Sequence, residues 1–446
     1  MKRVLVVAAA AVLARDASAW ETQTTHAGLV EQAALASKLH RRLATLGFTG
    51  GLFEPLTIPP ADAPALIADL KLLSPSHGAV PDGRGRQAAL AWLAAGAALA
   101  DVPQTAAANH FFDPDSGRGW EAPALDVIEA RELSALPARG VPAPDWVVSK
   151  ANPMSVSAFL DRYAKAVSSP TPGERSRHMA AALVAAGAMM HVLGDLGAPA
   201  RVRADYAAQL ESLGAGRDDR GSRFERVAAL AYGRLGVPPP VRAVVRSHLR
   251  DYYTSLAGEI AHNYFSPNTL PRDAHVGTGD VHPQLARPLP ALPKKLNIMA
   301  ASRSDGTTLH DDRGTCLARY KVEHNTLSFW LDDDCVLEQI VAILPQVASY
   351  EAGLLDYLLR GDLTIEIGNS VVVTAKEIGA GTIQVLVEDE RGVREVIADA
   401  PTSGAGVLAK VATPTSGTRV YAVFRGADKN GEPVVAVGAM PLAHDR

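Results

Sequence analysis

Cysteine is nearly absent from this chain: its 446 residues include only Cys316 and Cys335. With no second pair to complete a thiolate site, the two fit a single disulfide in an exported protein better than a zinc site, isolated thiols being the alternative. Aromatic residues are 5% of the chain, a poor supply of the platforms on which nucleobases stack. Charge of one sign is also lacking. A net charge of -4 and a pI near 6.4 argue against duplex nucleic acid held by charge alone. Beyond the first residues no apolar run reaches the roughly 18 residues of a membrane span, because His191 and Asp195 interrupt the longest one. The helical part shows no internal repeat.

What is present begins with a leader pattern. Met1-Lys2-Arg3, the apolar stretch Val4 to Ala14, and Ala17-Ser18-Ala19 have the basic start, short apolar core and A-x-A cleavage site of a secretory signal, residues 1–19. Cleavage leaves Trp20 first, so the mature chain is expected to be soluble, and secreted or periplasmic. The chain is long enough for a large core and two or three domains.

Residues 20–361 read as mainly helical. Helical spacing of apolar residues predicts helices over Thr25 to Leu46, Arg86 to Ala100, Ser155 to Val167, Pro172 to Leu196, Ser222 to Leu235, Pro239 to His262 and Cys335 to Leu359. Asp101 sits at a helix end, before Val102-Pro103. Asn109 to Gly119, with Asp-Pro and Ser-Gly turn signals, reads as a loop, and residues 267–315, rich in Pro, Gly, Ser and Asp, as a long surface excursion. A bridge between Cys316 and Cys335 would contribute on the order of 3 kcal/mol. From 362 to 446 short β-rich runs alternate with turns, including the hairpin signal Lys429-Asn430-Gly431-Glu432, and predict a small β-sandwich.

The chemistry centres on Met190-His191-Val192-Leu193-Gly194-Asp195, which ends an alanine-rich run from Met179. A helix apolar on every side is buried. His191 and Asp195, four residues apart, point the same way from it. A buried imidazole and carboxylate need a partner, either a zinc ion or each other through a hydrogen bond inside a helical core.

Trp20 after a cleavage site, His26 six residues on, Asp101 at a helix end, His110-Phe111-Phe112-Asp113-Pro114-Asp115, and His191-Val192-Leu193-Gly194-Asp195 together resemble the bacterial zinc-dependent phospholipases C. That family shares an all-helical fold with single-strand-specific zinc nucleases, and the resemblance covers roughly residues 20–360. It implies one zinc ion held by Asp101, His110, His191 and Asp195, and a second held by the amine and carbonyl of Trp20, the His26 ring and the other oxygen of Asp195. Asp101 would also orient the nucleophile, as the catalytic carboxylate. A β-domain after the helical body resembles alpha-toxin-like phospholipases, where it aids membrane docking; a generic adhesion or spacer sandwich is the alternative.

The family's third zinc site is broken here. Arg201 and Gly221 stand where its histidines would be, four residues before Glu225, and no His occurs between His191 and His248. Two zinc ions are therefore expected and a third is doubtful, with Arg201, oriented by Glu225, offering its planar charge to substrate phosphate; an exposed loop arginine is the other reading. The function expected is a phospholipase C-type phosphodiesterase acting on phospholipid, with peripheral membrane contact and no spanning segment. A nuclease of the same fold and a non-catalytic, zinc-stabilised binding protein are the alternatives.

Overall fold

The computed structural model describes residues 25–57, 86–122, 137–210, 223–235, 241–276 and 296–442. The leader expected at 1–19, Trp20 and Gly221 lie outside these residues. In chain order the main helices are α1 (Ala27–Ala36), α2 (Leu39–Thr45), α3 (Ala89–Leu99), α4 (Val156–Ser168), α5 (Pro172–Asp195), α6 (Pro199–Val202), α7 (Arg223–Leu235), α8 (Leu249–Asn263) and α9 (Asp333–Leu358).

The apolar run forms α5, and its start is fixed locally. Thr171 and Glu174 make a reciprocal capping box, with Pro172 in the first turn. Helix α5 packs on α3 and α4. Two glycines set its approach to α3: a Cβ on Gly96 would stand 2.1 Å from the Val184 carbonyl oxygen, and one on Gly187 1.9 Å from that of Leu93. Only glycine permits backbones this close. By length and composition α5 could cross a membrane, contrary to the expectation that no run is long enough, but 89% of its apolar window is buried inside the protein.

Several expectations change in detail. The single helix expected over Thr25 to Leu46 breaks between α1 and α2, because the Ser37 hydroxyl donates to the Ala34 carbonyl and accepts from the Leu39 N–H. Of the helix expected from Pro239, residues 239–240 lie outside the described residues and residues 241–246 are not helical: the Val244 N–H donates to Ser349 O, and Gly353 leaves room for the Val244 carbonyl.

Residues 20–361 are not all-helical. Strands β1 (Pro55–Thr57) and β2 (Arg86–Ala88) pair, and β3 (Ala274–His275), β4 (Thr307–His310), β5 (Cys316–Glu323) and β6 (Thr326–Trp330) form an antiparallel sheet of order β3-β6-β5-β4. The described part of the expected surface excursion thus carries β3 and β4, while most of its residues stay exposed or half-buried. Phe265, Ala301, Leu309, Leu317, Tyr320 and Leu327 give it a core of its own, and the Cys316–Cys335 disulfide ties β5 to α9.

The C-terminal residues form β7 (Thr364–Ile367), β8 (Ser370–Ala375), β9 (Ile378–Glu388), β10 (Arg394–Thr402), β11 (Gly406–Ala412), β12 (Arg419–Asp428) and β13 (Pro433–Pro441). Their antiparallel sheets have orders β10-β9-β12-β13 and β11-β8-β7. Alternation along β12 divides its side chains: Val420, Ala422 and Phe424 join Val371 and Val373 of the smaller sheet in one core, while Tyr421 and Val423 join the core of the helices.

Candidate metal centre

Three local structures bring the candidate ligands together. The last turns of α5 present His191 and Asp195 on one face, the turn leaving α3 presents Asp101, and the 3-10 turn Gln104–His110 delivers His110. Asp101 is 6% exposed and the other three are wholly buried. The following residues are structural. Phe111 and Phe112 are buried, while Asp113 closes the loop by accepting from the Asp115 N–H and the Ser116 hydroxyl.

His110 Nδ1 lies 2.8 Å from Asp195 Oδ2 and 3.3 Å from Asp101 Oδ1. His191 Nε2 lies 3.2 Å from Asp195 Oδ2 and 3.3 Å from Asp101 Oδ2. Both Asp101 oxygens and both His191 nitrogens are nevertheless without a hydrogen-bond partner. Their atoms are close but aimed at a common point rather than at one another. Ligands about 2.0–2.1 Å from a tetrahedral zinc stand roughly 3.3–3.4 Å apart; three of these contacts, at 3.2–3.3 Å, come near that spacing, the two to Asp101 through its two different oxygens. The four residues could hold a metal ion; all their donor atoms lie within 4.8 Å of one another.

Asp195 faces two ways. Its Oδ2 belongs to this cluster, and its Oδ1 accepts at 3.1 Å from His26 Nε2. His26 is wholly buried, stacked on His191 with ring centroids 3.7 Å apart. Arg201, on α6, is also wholly buried, which removes the exposed-loop reading. Its guanidinium is 3.3 Å from Asp195 Oδ2 and lies over the Phe111 ring at 4.6 Å. Glu225 is buried on α7.

Electrostatics follows from this crowding. Burial lowers the His191 pKa, but Asp195 and Asp101 outweigh it and hold the imidazole up at about 10. His26 is pushed down to about 4 by burial and by His191. Burial raises Asp101, yet His191 and His110 bring it to about 2. Asp195 is likewise raised by burial and held well below the carboxylate range by Arg201 and His191. Without metal, a proton on His191 sits between two carboxylates, in the place a cation would take.

One residue escaped the sequence reading. Glu351 lies on the buried stripe of α9 with Ile340, Leu344, Val347, Leu354 and Leu358, is wholly buried, and has no partner for either oxygen. A carboxylate at an apolar position of a 3.6-residue period was the available signal. Nearby, a cavity of about 330 Å³ is walled by Phe224, Phe265, Phe329 and Trp330 and shares Pro199 and Ala200 with the helix that carries Arg201.

No family model matches the chain, and no curated protein matches it. Among solved structures, the crystal structure of Clostridium perfringens alpha-toxin isolated from avian strain SWCP is similar over 95% of this chain and 100% of that one, with a TM-score of 0.33 and 10% sequence identity. A likeness at that level carries no argument about chemistry, so the site is read from its own geometry.

Proposed function

We propose that the protein is a secreted or periplasmic zinc-dependent phosphodiesterase of the phospholipase C type. The observation that carries this reading is the convergence of Asp101, His110, His191 and Asp195, all buried, with donor atoms within 4.8 Å of one another. In this reading His110, His191, Asp101 and Asp195 would hold one ion, and Asp195 and His26 would hold a second together with Trp20, whose amine would be freed by removal of residues 1–19. Bound zinc supplies Lewis acidity and a water that loses its proton near neutral pH. Asp101 orients that nucleophile, and Arg201, oriented by Glu225, supplies a permanent positive charge beside the Asp195 carboxylate, where phosphoryl charge grows. Residues 362–446 form a β-sandwich domain that gives peripheral contact with a lipid surface.

The test is metal analysis of the mature protein beside an assay on mixed phospholipids. Two tightly bound zinc ions with release of phosphorylated headgroup support the reading; absence of bound zinc overturns it. Zinc without turnover favours the non-catalytic binding protein. The aromatic-walled cavity favours keeping a nuclease as second reading, since it concentrates locally what the composition lacks overall. Turnover of single-stranded oligonucleotide in preference to lipid decides for it. Phe111 and Trp120, buried and packed on each other with Arg201 over Phe111, offer no open face to a quaternary ammonium, so a preference for choline lipids would have to come from the cavity walled by Phe224, Phe265, Phe329 and Trp330. Comparing kcat/KM on choline and ethanolamine lipids checks this.

A further inference from the structure

Glu351 has no role in the site as described, yet its position is costly. Burial pushes the Glu351 carboxyl well above the usual carboxylate range, and an acid buried without a partner is still unfavourable, whether neutral or charged; a leucine in the same apolar stripe of α9 would remove that cost. Helix α9 packs against α1, which His26 immediately precedes, and α5, which carries Gly194. A Cβ on Gly194 would lie 2.8 Å from Glu351 Oε1 and 3.3 Å from His26 Nδ1. Both groups therefore border one gap that the glycine leaves open, and both are buried without a hydrogen-bond partner.

The proton on His26 links them. Ionised Asp195 can only accept, so in the metal-free chain His26 Nε2 carries the hydrogen that it donates to Asp195 Oδ1 at 3.1 Å. To give its lone pair to a metal, Nε2 must lose that hydrogen, and the neutral ring then carries its single proton on Nδ1. We propose that Glu351 is a positioning residue for His26: across the gap above Gly194 it accepts the Nδ1–H, directly after a small rotation or through one water, and so holds Nε2 ready for the ion shared with Asp195. Metal-binding histidines are commonly fixed this way by an outer carboxylate, and loss of such a partner typically weakens metal affinity 10- to 100-fold.

This inference rests on the metal reading above, and the experiment separates the two. Zinc is titrated into the mature wild type, Glu351→Leu and Glu351→Gln after chelation, with the metal-free melting temperature and, in the zinc-loaded protein, the His26 Nδ1–H proton resonance followed by NMR. The expected result for Glu351→Leu is a higher metal-free melting temperature, one zinc equivalent weakened about 10- to 100-fold with the other unchanged, and loss of a downfield, slowly exchanging Nδ1–H signal. Glu351→Gln, which keeps the side-chain shape, shows the same affinity split to a smaller degree and serves if the leucine variant does not fold. Zinc affinities and an Nδ1–H signal equal to wild type in either folded variant overturn the role of Glu351 and leave the metal site standing. A wild type that binds no zinc overturns both.

Discussion

The protein buries charge in two places and treats it in opposite ways. Where the helices meet the C-terminal strands, Arg394 donates to Glu388 at 2.8 Å and to the Leu46 carbonyl at 3.0 Å, and stacks on Tyr421 at 3.4 Å. Arg175 beside it donates to the Pro170 and Gly392 carbonyls at 2.8 and 2.7 Å. In the Asp101–His110–His191–Asp195 cluster, His110 Nδ1 bonds Asp195 Oδ2 at 2.8 Å, but both Asp101 oxygens, both His191 nitrogens and His110 Nε2 are equally buried without a hydrogen-bond partner. A satisfied buried charge fastens parts of a fold together; an unsatisfied cluster is kept against stability, which marks function.

The comparison can be broken in four ways. His110→Gln should cost the most function: zinc content falls and kcat/KM on a phosphodiester drops at least about a thousandfold, roughly 4 kcal/mol. Its unfolding free energy in chelator should fall by only about 1 kcal/mol, the cost of the bond between His110 Nδ1 and Asp195 Oδ2 at 2.8 Å, since Nε2 has no hydrogen-bond partner to lose. Arg394→Ala should do the reverse, destabilising by about 3 to 5 kcal/mol in urea unfolding while folded molecules keep their zinc. Equal stability losses in the two variants would remove the distinction.

The third effect is smaller and depends on pH. His191 is raised to about 10, so in the metal-free protein it is protonated at neutral pH. The stability its pairing contributes is fully present below the unfolded value near 6.5 and is lost as pH rises through about 10. To ligate zinc it must release that proton. Calorimetry at pH 7 in buffers of different ionisation heat should therefore find about one proton leaving from His191 on zinc binding, with affinity rising as pH approaches 10. No buffer dependence would contradict this. The smallest effect belongs to a satisfied charge that is only half-buried. Asp332 caps α9 by accepting from the Cys335 N–H at 2.8 Å and pairs with Arg319 at 2.7 Å. Asp332→Ala should lower unfolding stability by about 1 kcal/mol and leave zinc binding untouched.

What was legible in the sequence followed the range of the interaction. The i, i+4 spacing of His191 and Asp195 on an apolar helix is local, and so is the helix end at Asp101; the structure places both beside His110. Strands β9, β12 and β13 announce themselves by runs of buried apolar residues. Strands β10 and β11 do not, because they are sheet edges with largely exposed side chains, and β10 carries Pro401. The β3-β6-β5-β4 sheet escaped for another reason: His275 and Thr326 pair across a long stretch of chain, and no local period reports such a partner. Ser37 ends α1 by side-chain bonding inside an unbroken apolar pattern. Glu351 was visible but had no meaning until α1 and α5 were known to flank it.

The division of β12 between two cores bears on what can be cut away. With Tyr421 and Val423 turned to the helices and Val420, Ala422 and Phe424 to the other sheet, a chain ended near residue 361 would lay bare an apolar wall on the metal-bearing part, with nothing of its own to cover it. Such a fragment should come out of expression as aggregate, whatever its zinc supply. A one-residue insertion in β12 would exchange the two sets of side chains and disturb both cores at once. The strands most remote in sequence from the cluster thus set whether it can be made in soluble form at all.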